Sequence, residues 1–394
     1  MKRDFMFTSE SVTEGHPDKL CDQISDAIVD HYLQGDPLAR VAAECAAASG
    51  VVFIATHAAS TTHPDLAEIA RGVIRQAGYT EGEFNARDCA VMINQSELPM
   101  GTRQAVDELQ LDEDEFDLIP ARNQATLFGH ACNQTSASIP LPLWLAHRLA
   151  RRLAAARLEH RLDYLLPDGT TQVGVEYRDR RPSRIHSITL TTSQRADGAG
   201  LARLRDDLIE HVIEPVFALE ELKPDRHTHV FINPDGLHIG GGPAQHAGLT
   251  GRKNAIDTYG GYARHSGSAL SGKDPARIDR VAAYAARHAA RNVIAAGLAD
   301  ECEILLSYSI GQVQPVSLQV ETFGTGRIDD EEITRRVRES FDFRPAAIVR
   351  DFNLRHLPGA LKGGFYRKLA AYGHMGRMDI GLPWERVEKA EALK

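Results

Sequence analysis

The sequence predicts an α+β protein built from three pseudo-symmetric two-layer domains, each a small mixed sheet with helices on one face. A helix, a pair of alternating apolar segments, a second helix and a strand follow one another three times along the 394 residues. The apolar pairs begin near residues 41, 172 and 303, at intervals of one third of the chain. A unit of this length is too long for a solenoid repeat and matches a small domain.

The first copy of this pattern starts with a helix predicted over Pro17–Gly35. Apolar residues recur along one face of this segment, proline suits a first helical turn, and glycine suits a helix end. Two alternating segments joined by Ser49-Gly50 then predict a β-hairpin. The other predicted elements of this copy are strands over Arg40–Ala47 and Gly50–Ala58, a helix over Pro64–Ala77 and a strand over Cys89–Ile93.

The second and third copies keep the order of elements but share few side chains with the first. The second copy predicts a helix over Leu143–Leu162, a hairpin over Gln172–Tyr177 and Ile185–Thr191, a helix over Leu201–Phe217 and a strand over His229–Asn233. The third predicts a helix over Asp279–Leu298, a hairpin over Cys302–Gly311 and Val316–Thr322, a helix over Asp330–Phe341 and a strand over Ala346–Asp351. Hairpins favour α+β layers over a parallel doubly wound sheet.

Composition is that of an ordinary globular protein, with 43% hydrophobic and 25% charged residues. The net charge of -9 argues against nucleic acid as a partner. The five cysteines are scattered without a Cys-x-x-Cys pair, which argues against a disulfide framework or zinc site and for a reducing compartment. No apolar stretch approaches a membrane span, and the first ten residues lack the apolar run of a signal peptide. We expect a cytoplasmic protein that does not enter a membrane.

Two charged segments have simple structural interpretations. In the basic helix Arg148–Arg161, we expect the leucine stripe to pack on a sheet and the arginines to face water, rather than a membrane-surface helix. The acidic run Asp107–Asp117 is predicted to be a solvated loop.

The stretch Ile239–Arg280 combines many glycines with basic residues. Glycines let backbone N–H groups turn toward a ligand, and the cations Arg252, Lys253, Lys273 and Arg277 suit a polyphosphate. Asp274 and Asp279 are candidates for an accompanying Mg²⁺. A flexible surface loop with solvated charges is the alternative. Neither a Walker nor a Rossmann glycine pattern is present.

A second candidate site lies at the start of the first predicted helix. His16 and Asp18 stand at its mouth, where free N–H groups and the helix dipole favour anions. The surrounding segment, Phe7 to Lys19, resembles the signature of the methionine adenosyltransferases (S-adenosylmethionine synthases). Further matching motifs span nearly the whole chain: Asp22-Gln23-Ile24-Ser25-Asp26-Ala27, Gly248-Leu249-Thr250-Gly251-Arg252-Lys253, Asp257-Thr258-Tyr259-Gly260-Gly261, Ser271-Gly272-Lys273-Asp274-Pro275, Ala283-Tyr284-Ala285-Ala286-Arg287, Val320-Glu321-Thr322-Phe323-Gly324-Thr325 and Ala371-Tyr372-Gly373-His374.

The resemblance implies a reaction in which the thioether sulfur of methionine attacks C5′ of ATP and expels tripolyphosphate, which is then hydrolysed. It implies catalytic roles for His16, Arg252, Lys253, Lys273 and Asp279. ATP-binding residues would be His16, Asp168, Thr170, His238, His246, Arg252, Lys253, Ala269 and Lys273, and acceptor-binding residues His57, Asn123, His246 and Arg277. Asp18 and Asp279 would hold Mg²⁺, and Glu44 would hold K⁺.

The resemblance also implies a quaternary structure and a division into domains. Active sites between two subunits imply a homodimer or homotetramer. We expect domains formed by residues 1–14 with 135–240, 15–105 with 241–281, and 106–134 with 282–394.

The chain departs from the family pattern where the amino acid substrate is expected. His57, His246 and Asn123 align with family acids, Thr170 aligns with a lysine that neutralises phosphates, and Arg277 aligns with a lysine that binds the carboxylate. A buried ammonium needs an acidic partner, which imidazoles supply poorly. The loop over residues 94–106 aligns poorly, so Gln95 and Gln104 are both candidates for its substrate-contacting glutamine.

Several functions therefore stay open at this point. One function is that of an ordinary but divergent synthase. Another is that of a paralogue whose acceptor is either a thioether lacking the ammonium or a more anionic compound. Hydrolysis of ATP with water as acceptor is a further alternative. The complete set of phosphate-binding residues argues against a regulatory subunit without activity. Thr170, which stands where the family has a phosphate-neutralising lysine, is weak evidence for one.

Overall fold

The computed structural model describes residues 3–394, so the first two residues of the expected 1–14 segment lie outside it. Its strands are β1 Phe5–Val12, β2 Arg40–Ala48, β3 Val51–Ala59, β4 Ala90–Glu97, β5 Ala125–Cys132, β6 Leu165–Arg178, β7 Arg181–Gln194, β8 His229–Ile232, β9 His238–Ile239, β10 Gly248–Leu249, β11 Glu301–Tyr308 and β12 Ser317–Glu321.

Its α-helices are α1 Pro17–Gly35, α2 Leu66–Ala77, α3 Leu141–Leu158, α4 Leu201–Leu208, α5 Glu214–Ala218, α6 Asn254–Asp257, α7 Ile278–Ala295, α8 Asp330–Ser340, α9 Pro345–Asp351, α10 Leu357–Ala360 and α11 Tyr366–Leu369. A π-helical turn, Ile209–Ile213, joins α4 to α5. Short 3-10 turns occur at Met100–Thr102, Glu108–Gln110, Glu113–Leu118, Gly242–Ala244, Pro383–Glu385 and Glu391–Leu393. Among the residues described, none of the helices combines the length and the apolar character needed to cross a bilayer.

The strands form three small sheets. The first has the order β1-β6-β7-β8 with β9 beside β7, the second β10-β2-β3-β4, and the third β12-β11-β5. Most neighbours are antiparallel, but β4 runs parallel to β3, and β8 and β9 run parallel to β7. The sheets are therefore mixed, and the predicted α+β fold class is confirmed.

Helices cover one face of each sheet. Helix α3 packs on β1 and β6, α1 on β2, and α7 on β5 and β11. The contact of α7 with β5 is close, because a Cβ at Gly129 would lie 2.0 Å from the backbone carbon of Ala286. The second and third sheets share one continuous apolar core, whereas the first sheet has its own.

The predicted hairpins and long helices are present, but β6 begins at Leu165 rather than at Gln172, and the helix predicted over Leu201–Phe217 is divided by a π-helical turn. The strand predicted over Ala346–Asp351 is wrong, because this segment is helix α9, with Pro345 in its first turn. Its short apolar run did not distinguish a strand from a buried helix. The third sheet instead takes its third strand from β5, and β1 is a further strand that the pattern did not reveal.

The two charged segments are less solvated than expected. The leucine stripe of α3 is buried on the first sheet as predicted, but its arginines are half-buried and ion-paired, as Arg148 with Glu220. In the acidic run, Glu108 is buried and accepts a hydrogen bond from Arg355 at 2.9 Å. The expectation of a solvated loop is therefore wrong at Glu108.

The outer face of the second sheet is open and apolar. Leu249, Phe53 and Met92 stand in one row across the sheet and are 43%, 42% and 56% exposed. Monomeric proteins rarely expose contiguous apolar surface of this kind.

Candidate active site

A cavity of ≈ 420 Å³ lies between the first sheet and the start of α1. The predicted site residues that line it are His16, Asp168, Thr170, His238 and His246. It is also lined by residues that the sequence did not single out individually: Thr191, Thr192, Ser193, Gly240 and Gly241. The two glycines belong to the glycine run that suggested phosphate binding. That run was the feature of the sequence from which their place in the cavity could have been predicted.

His16 is held in one orientation at the mouth of α1. It caps the helix, and its Nδ1 accepts the backbone N–H of Asp18 at 3.2 Å. A lone pair on Nδ1 leaves the proton of the neutral ring on Nε2. Burial lowers the pKa of His16 to about 4, despite the opposing charges of Asp168 and Asp18. His16 is therefore an uncharged hydrogen-bond donor at neutral pH.

Asp168 and His246 form a pair inside the cavity. Oδ2 of Asp168 accepts hydrogen bonds from His246 Nε2 at 2.7 Å and from the backbone N–H of Gly242 at 2.9 Å. The hydrogen bond to Asp168 raises the pKa of His246. The rings of His16 and His246 lie 5.2 Å apart, so a histidine with a lowered pKa and one with a raised pKa stand side by side.

Asp18 of α1 and two cations that follow β10, Arg252 and Lys253, extend this cluster beyond the cavity. Oδ1 of the buried Asp18 accepts the N–H of Leu249 at 3.0 Å, and Arg252 Nε lies 3.6 Å from the same oxygen. Lys253 Nζ lies 3.6 Å from Glu10, an exposed residue of β1. Cations thus extend from the mouth of α1 along the surface.

A second group lies at the start of α7. Oδ2 of Asp279 accepts a hydrogen bond from Asn123 at 2.7 Å, and Lys273 Nζ lies 3.6 Å from Oδ1. Burial raises the pKa of Asp279, but Lys273 and Asn123 outweigh it and hold the pKa below its ordinary value. Burial also lowers the pKa of Lys273, against the attraction of Asp279. Arg277 and Ala269 are half-buried nearby, Arg277 as the N-cap of α7.

The outer face of the second sheet continues this group. His57 pairs with Ala42, and Ala42 in turn bridges to Lys273. His57 is thus two strand spacings, about 10 Å, from Lys273. Glu44 lies on the same face of β2, and both it and His57 are exposed.

The predicted site residues therefore fall into two groups within one chain. The first group surrounds His16 and the second surrounds Lys273. Across residues 3–394, no side-chain hydrogen bond or ion pair connects His16, Asp18, Asp168, His246 or Arg252 with Asn123, Lys273 or Asp279.

Comparison with known proteins identifies the family. Family models described as S-adenosylmethionine synthetase match the chain over residues 4–98 (N-terminal domain), 118–238 (central domain) and 240–386 (C-terminal domain). The chain is 49% identical to the S-adenosylmethionine synthase of Synechococcus sp. (strain JA-3-3Ab), covering 99% of this chain and 97% of that protein.

Two further relatives are also S-adenosylmethionine synthases. The chain is 48% identical to the S-adenosylmethionine synthase of Trichormus variabilis, covering 100% of this chain and 97% of the relative. It is 49% identical to that of Gloeobacter violaceus, covering 99% and 97%. The chain belongs to the S-adenosylmethionine synthase family. It is an enzyme, a methionine adenosyltransferase or a close paralogue of one.

In this member of the S-adenosylmethionine synthase family, four aspartates on one face of α1 hold the surrounding loops. Asp18, Asp22, Asp26 and Asp30 recur every fourth residue and are all buried. Asp22 accepts the N–H of Gly251 and Asp26 that of Gly272, each at 2.8 Å. These glycines precede Arg252 and Lys273, so α1 positions the cations of both groups. The four-residue spacing of these aspartates in the sequence could have predicted that they share one face of α1.

The other predicted residues are placed as follows. Asp274 is buried and accepts the N–H groups of Val41 and Ala276, each at 2.7 Å, so its carboxylate serves the loop rather than an open metal site. Gln95 is exposed on β4 and donates to Tyr32 at 3.2 Å. Gln104 is buried, with its Oε1 unpartnered.

Proposed function

We propose that this member of the S-adenosylmethionine synthase family transfers the adenosyl group of ATP to the sulfur of methionine. In this reaction the S–C5′ bond forms and the C5′–O bond breaks. The triphosphate leaves with the bonding electrons, and the sulfur becomes a sulfonium. The observation that carries the proposal is the neutral Nε2–H of His16, which lines a cavity beside the cations of the glycine-rich stretch.

A thioether has no proton to lose, so the reaction needs no general base. Catalysis then depends on alignment and on stabilising charge that develops on the leaving oxygen. We assign His16 as hydrogen-bond donor to that oxygen, and Arg252, Lys253 and Lys273 as the clamp on the triphosphate. Neutral His16 suits this role, because a fixed donor stabilises developing charge without reorganisation.

We assign Mg²⁺ to Asp18 and Asp279, because buried carboxylates are ligands that this ion prefers. Oδ2 of Asp18 accepts no hydrogen bond from residues 3–394, which fits a metal ligand. Mg²⁺ would neutralise charge on phosphate oxygens. We assign K⁺ to Glu44, whose exposed carboxylate has no ion pair among the described residues.

The expelled tripolyphosphate is then hydrolysed in our proposal. Water attacks a terminal phosphorus, a P–O–P bond breaks, and pyrophosphate and phosphate are released. The same cations serve this second step, because charge again develops on phosphate oxygens.

We propose a homodimer in which the first group of one copy meets the second group of another. The division of the site residues into two groups supports this arrangement. The exposed row of Leu249, Phe53 and Met92 also supports it, since a second copy would cover this apolar face next to His57 and Glu44. A dimer of such dimers is the corresponding homotetramer. Five free, buried cysteines fit a reducing cytoplasm.

A second candidate function is adenosylation of a thioether that lacks the amino group. The acids closest to the substituted positions are already engaged: Asp168 by His246, and Asp279 by Asn123. An ammonium in this pocket therefore meets imidazoles and an amide instead of free carboxylates. A more anionic acceptor fits this pocket for the same reason.

A product assay on the purified chain tests the proposal. ATP, Mg²⁺ and K⁺ are supplied with methionine, with 3-(methylthio)propionate, or with neither, and products are identified by mass spectrometry and phosphate analysis. S-adenosylmethionine with pyrophosphate and phosphate supports the first function. An adduct with the amine-free thioether alone supports the second. ATP cleavage that no thioether changes indicates hydrolysis, and no cleavage at all indicates a regulatory subunit.

A further inference from the structure

The cavity that His16 lines stands beside Arg252 and Lys253 of the proposed triphosphate clamp, but these two cations do not belong to its wall. Among the described residues, no lysine or arginine lines it, whereas two aspartates, Asp168 and Asp235, do. Its possible positive charges are therefore the histidines His16, His238 and His246. An anionic leaving group in a cavity with net negative walls would be repelled.

Two of these histidines are poorly suited to supply the charge. Nδ1 of His16 is occupied as an acceptor by the N–H of Asp18, so this ring is a neutral donor. His238 is bound through Nε2 to Asp235 at 2.9 Å, but that carboxylate is 71% exposed, so this pair lies at the rim and has no buried anchor. This leaves His246.

On the basis of the proposed function, we propose that His246 is a further cationic ligand of the triphosphate, inside this cavity and additional to the clamp of Arg252, Lys253 and Lys273, with Asp168 as the residue that positions it. Asp168 is 11% exposed at its side chain and His246 is 46% exposed, so the carboxylate is the buried anchor and the imidazole is the open partner. Nε2 of His246 is bound to Asp168, and no described residue bonds Nδ1. A protonated ring then offers the N–H at Nδ1 to an anion.

Asp168 is itself fixed from a second direction. Its Oδ2 also accepts the N–H of Gly242, a glycine with φ 67°, in the glycine run that walls the cavity. Asp168 thus connects the His246 ring to β6, and through the N–H of Gly242 it also connects the ring to the glycine run. This double support distinguishes His246 from a solvated surface histidine.

The charged groups around His246 come from three elements. Asp168 on β6 and Asp18 at the start of α1 favour the protonated ring, whereas Arg252 after β10 opposes it. The neutral ring of His16 lies 5.2 Å away. Together these groups raise the pKa of His246, and the hydrogen bond that His246 donates to Asp168 is the largest cause. Positive charge in the cavity therefore persists to higher pH than in a free histidine and is lost as pH rises through the folded pKa.

Thr170 provides a way to test the charge separately from the imidazole. It lines the same cavity, half-buried on β6, so a lysine there places an ammonium in the same space. The informative set is His246→Gln, His246→Gln with Thr170→Lys, and His246→Gln with Thr170→Met as the uncharged control of similar length.

The experiment measures binding of inorganic tripolyphosphate with Mg²⁺ by calorimetry from about pH 6 to about pH 9. Since tripolyphosphate titrates in this range, each variant is compared with the unmodified chain at the same pH. We expect His246→Gln to weaken binding about tenfold at the acidic end, and the difference to vanish toward the alkaline end. Thr170→Lys should restore affinity in the His246→Gln background, and Thr170→Met should not.

Equal affinity of His246→Gln and the unmodified chain across the pH range would overturn the proposal, as would equal rescue by lysine and methionine. Histidine NMR on the unmodified chain gives a second measurement that needs no variant. The pKa of His246 must rise when tripolyphosphate binds, and an unchanged pKa also overturns the proposal. Both readouts omit methionine, so absence of S-adenosylmethionine in the product assay would count against the proposed function only.

Discussion

Oδ1 of Asp22 accepts the backbone N–H of Gly251 at 2.8 Å, and in this way a residue of α1 determines where the Arg252 side chain begins. One turn further along, Asp26 makes the same contact with Gly272, the residue before Lys273. Two cation-bearing loops distant in the chain thus take their positions from one helix. Both carboxylates are buried, and each is paired with a buried cation, Asp22 with Lys19 and Asp26 with Arg280.

Asp26→Asn is expected to destabilise the fold strongly. Both Asp26 oxygens accept hydrogen bonds from Arg280 at 2.8 Å, and both side chains are fully buried. Removing the negative charge leaves a buried guanidinium unpaired, which costs about 3–5 kcal/mol. Urea unfolding measures the loss. Asp88→Asn, which affects an exposed pair with Arg87, should leave the midpoint unchanged, and an equal loss in both variants would contradict this account.

His16→Ala is expected to reduce kcat by about 100- to 1000-fold with a smaller effect on KM. In the proposed mechanism, the side chain supplies a donor that matters most when charge develops on the leaving oxygen, so binding of ATP should largely persist. Steady-state kinetics with ATP and methionine provide the measurement. His63→Ala, at an exposed position, serves as the matched variant and should keep full activity. A change confined to KM would assign His16 to ground-state binding.

Phe53→Asp is expected to produce monomers and to abolish turnover together. The aspartate places a charge in the middle of the open apolar row on the second sheet. Light scattering coupled to size exclusion reports the mass, and the product assay reports activity. Leu219→Asp changes an even more exposed leucine, 75% exposed, away from this face, and should alter neither. Active monomers of Phe53→Asp would refute a site shared between copies.

His57→Glu is expected to lower the KM for methionine about tenfold and to weaken use of 3-(methylthio)propionate. The new carboxylate would pair with the ammonium, and it would repel the acid group of an acceptor lacking that ammonium. His57→Gln distinguishes charge from shape and should change neither KM much. If glutamate and glutamine act alike, His57 does not exclude the ammonium.

His147→Gln is expected to flatten the acid side of the stability profile. His147 is buried, with Nδ1 2.8 Å from Ser11 Oγ, and burial holds its pKa well below the ordinary value. Below about pH 6.5 the unfolded chain therefore binds a proton that the folded chain does not, so stability falls as pH decreases. Urea unfolding near pH 7.5 and near pH 5.5 measures the slope. A His63→Gln variant should keep the slope of the unmodified chain.

Local periodicity was enough to predict the hairpins and the long helices. In α1, apolar spacing, Pro17 and Gly35 all lie within the element, and its ends agree with the prediction. The apolar segment after Pro345 was different, because a run of that length suits a strand or a buried helix equally well. The pairing of β5 with β11 shows that β5, and not the segment after Pro345, is the third strand of the third sheet.

The sequence by itself determined the family, the three-part α+β plan and the identity of most candidate site residues, since motifs and periodicities are local properties. Tertiary structure alone decided that His246 binds Asp168, that Asn123 binds Asp279, and that the site residues form two groups in one chain. Those contacts join positions 78 and 156 residues apart. No local pattern encodes a contact between distant positions, because it forms only when packed sheets and helices bring the two side chains together.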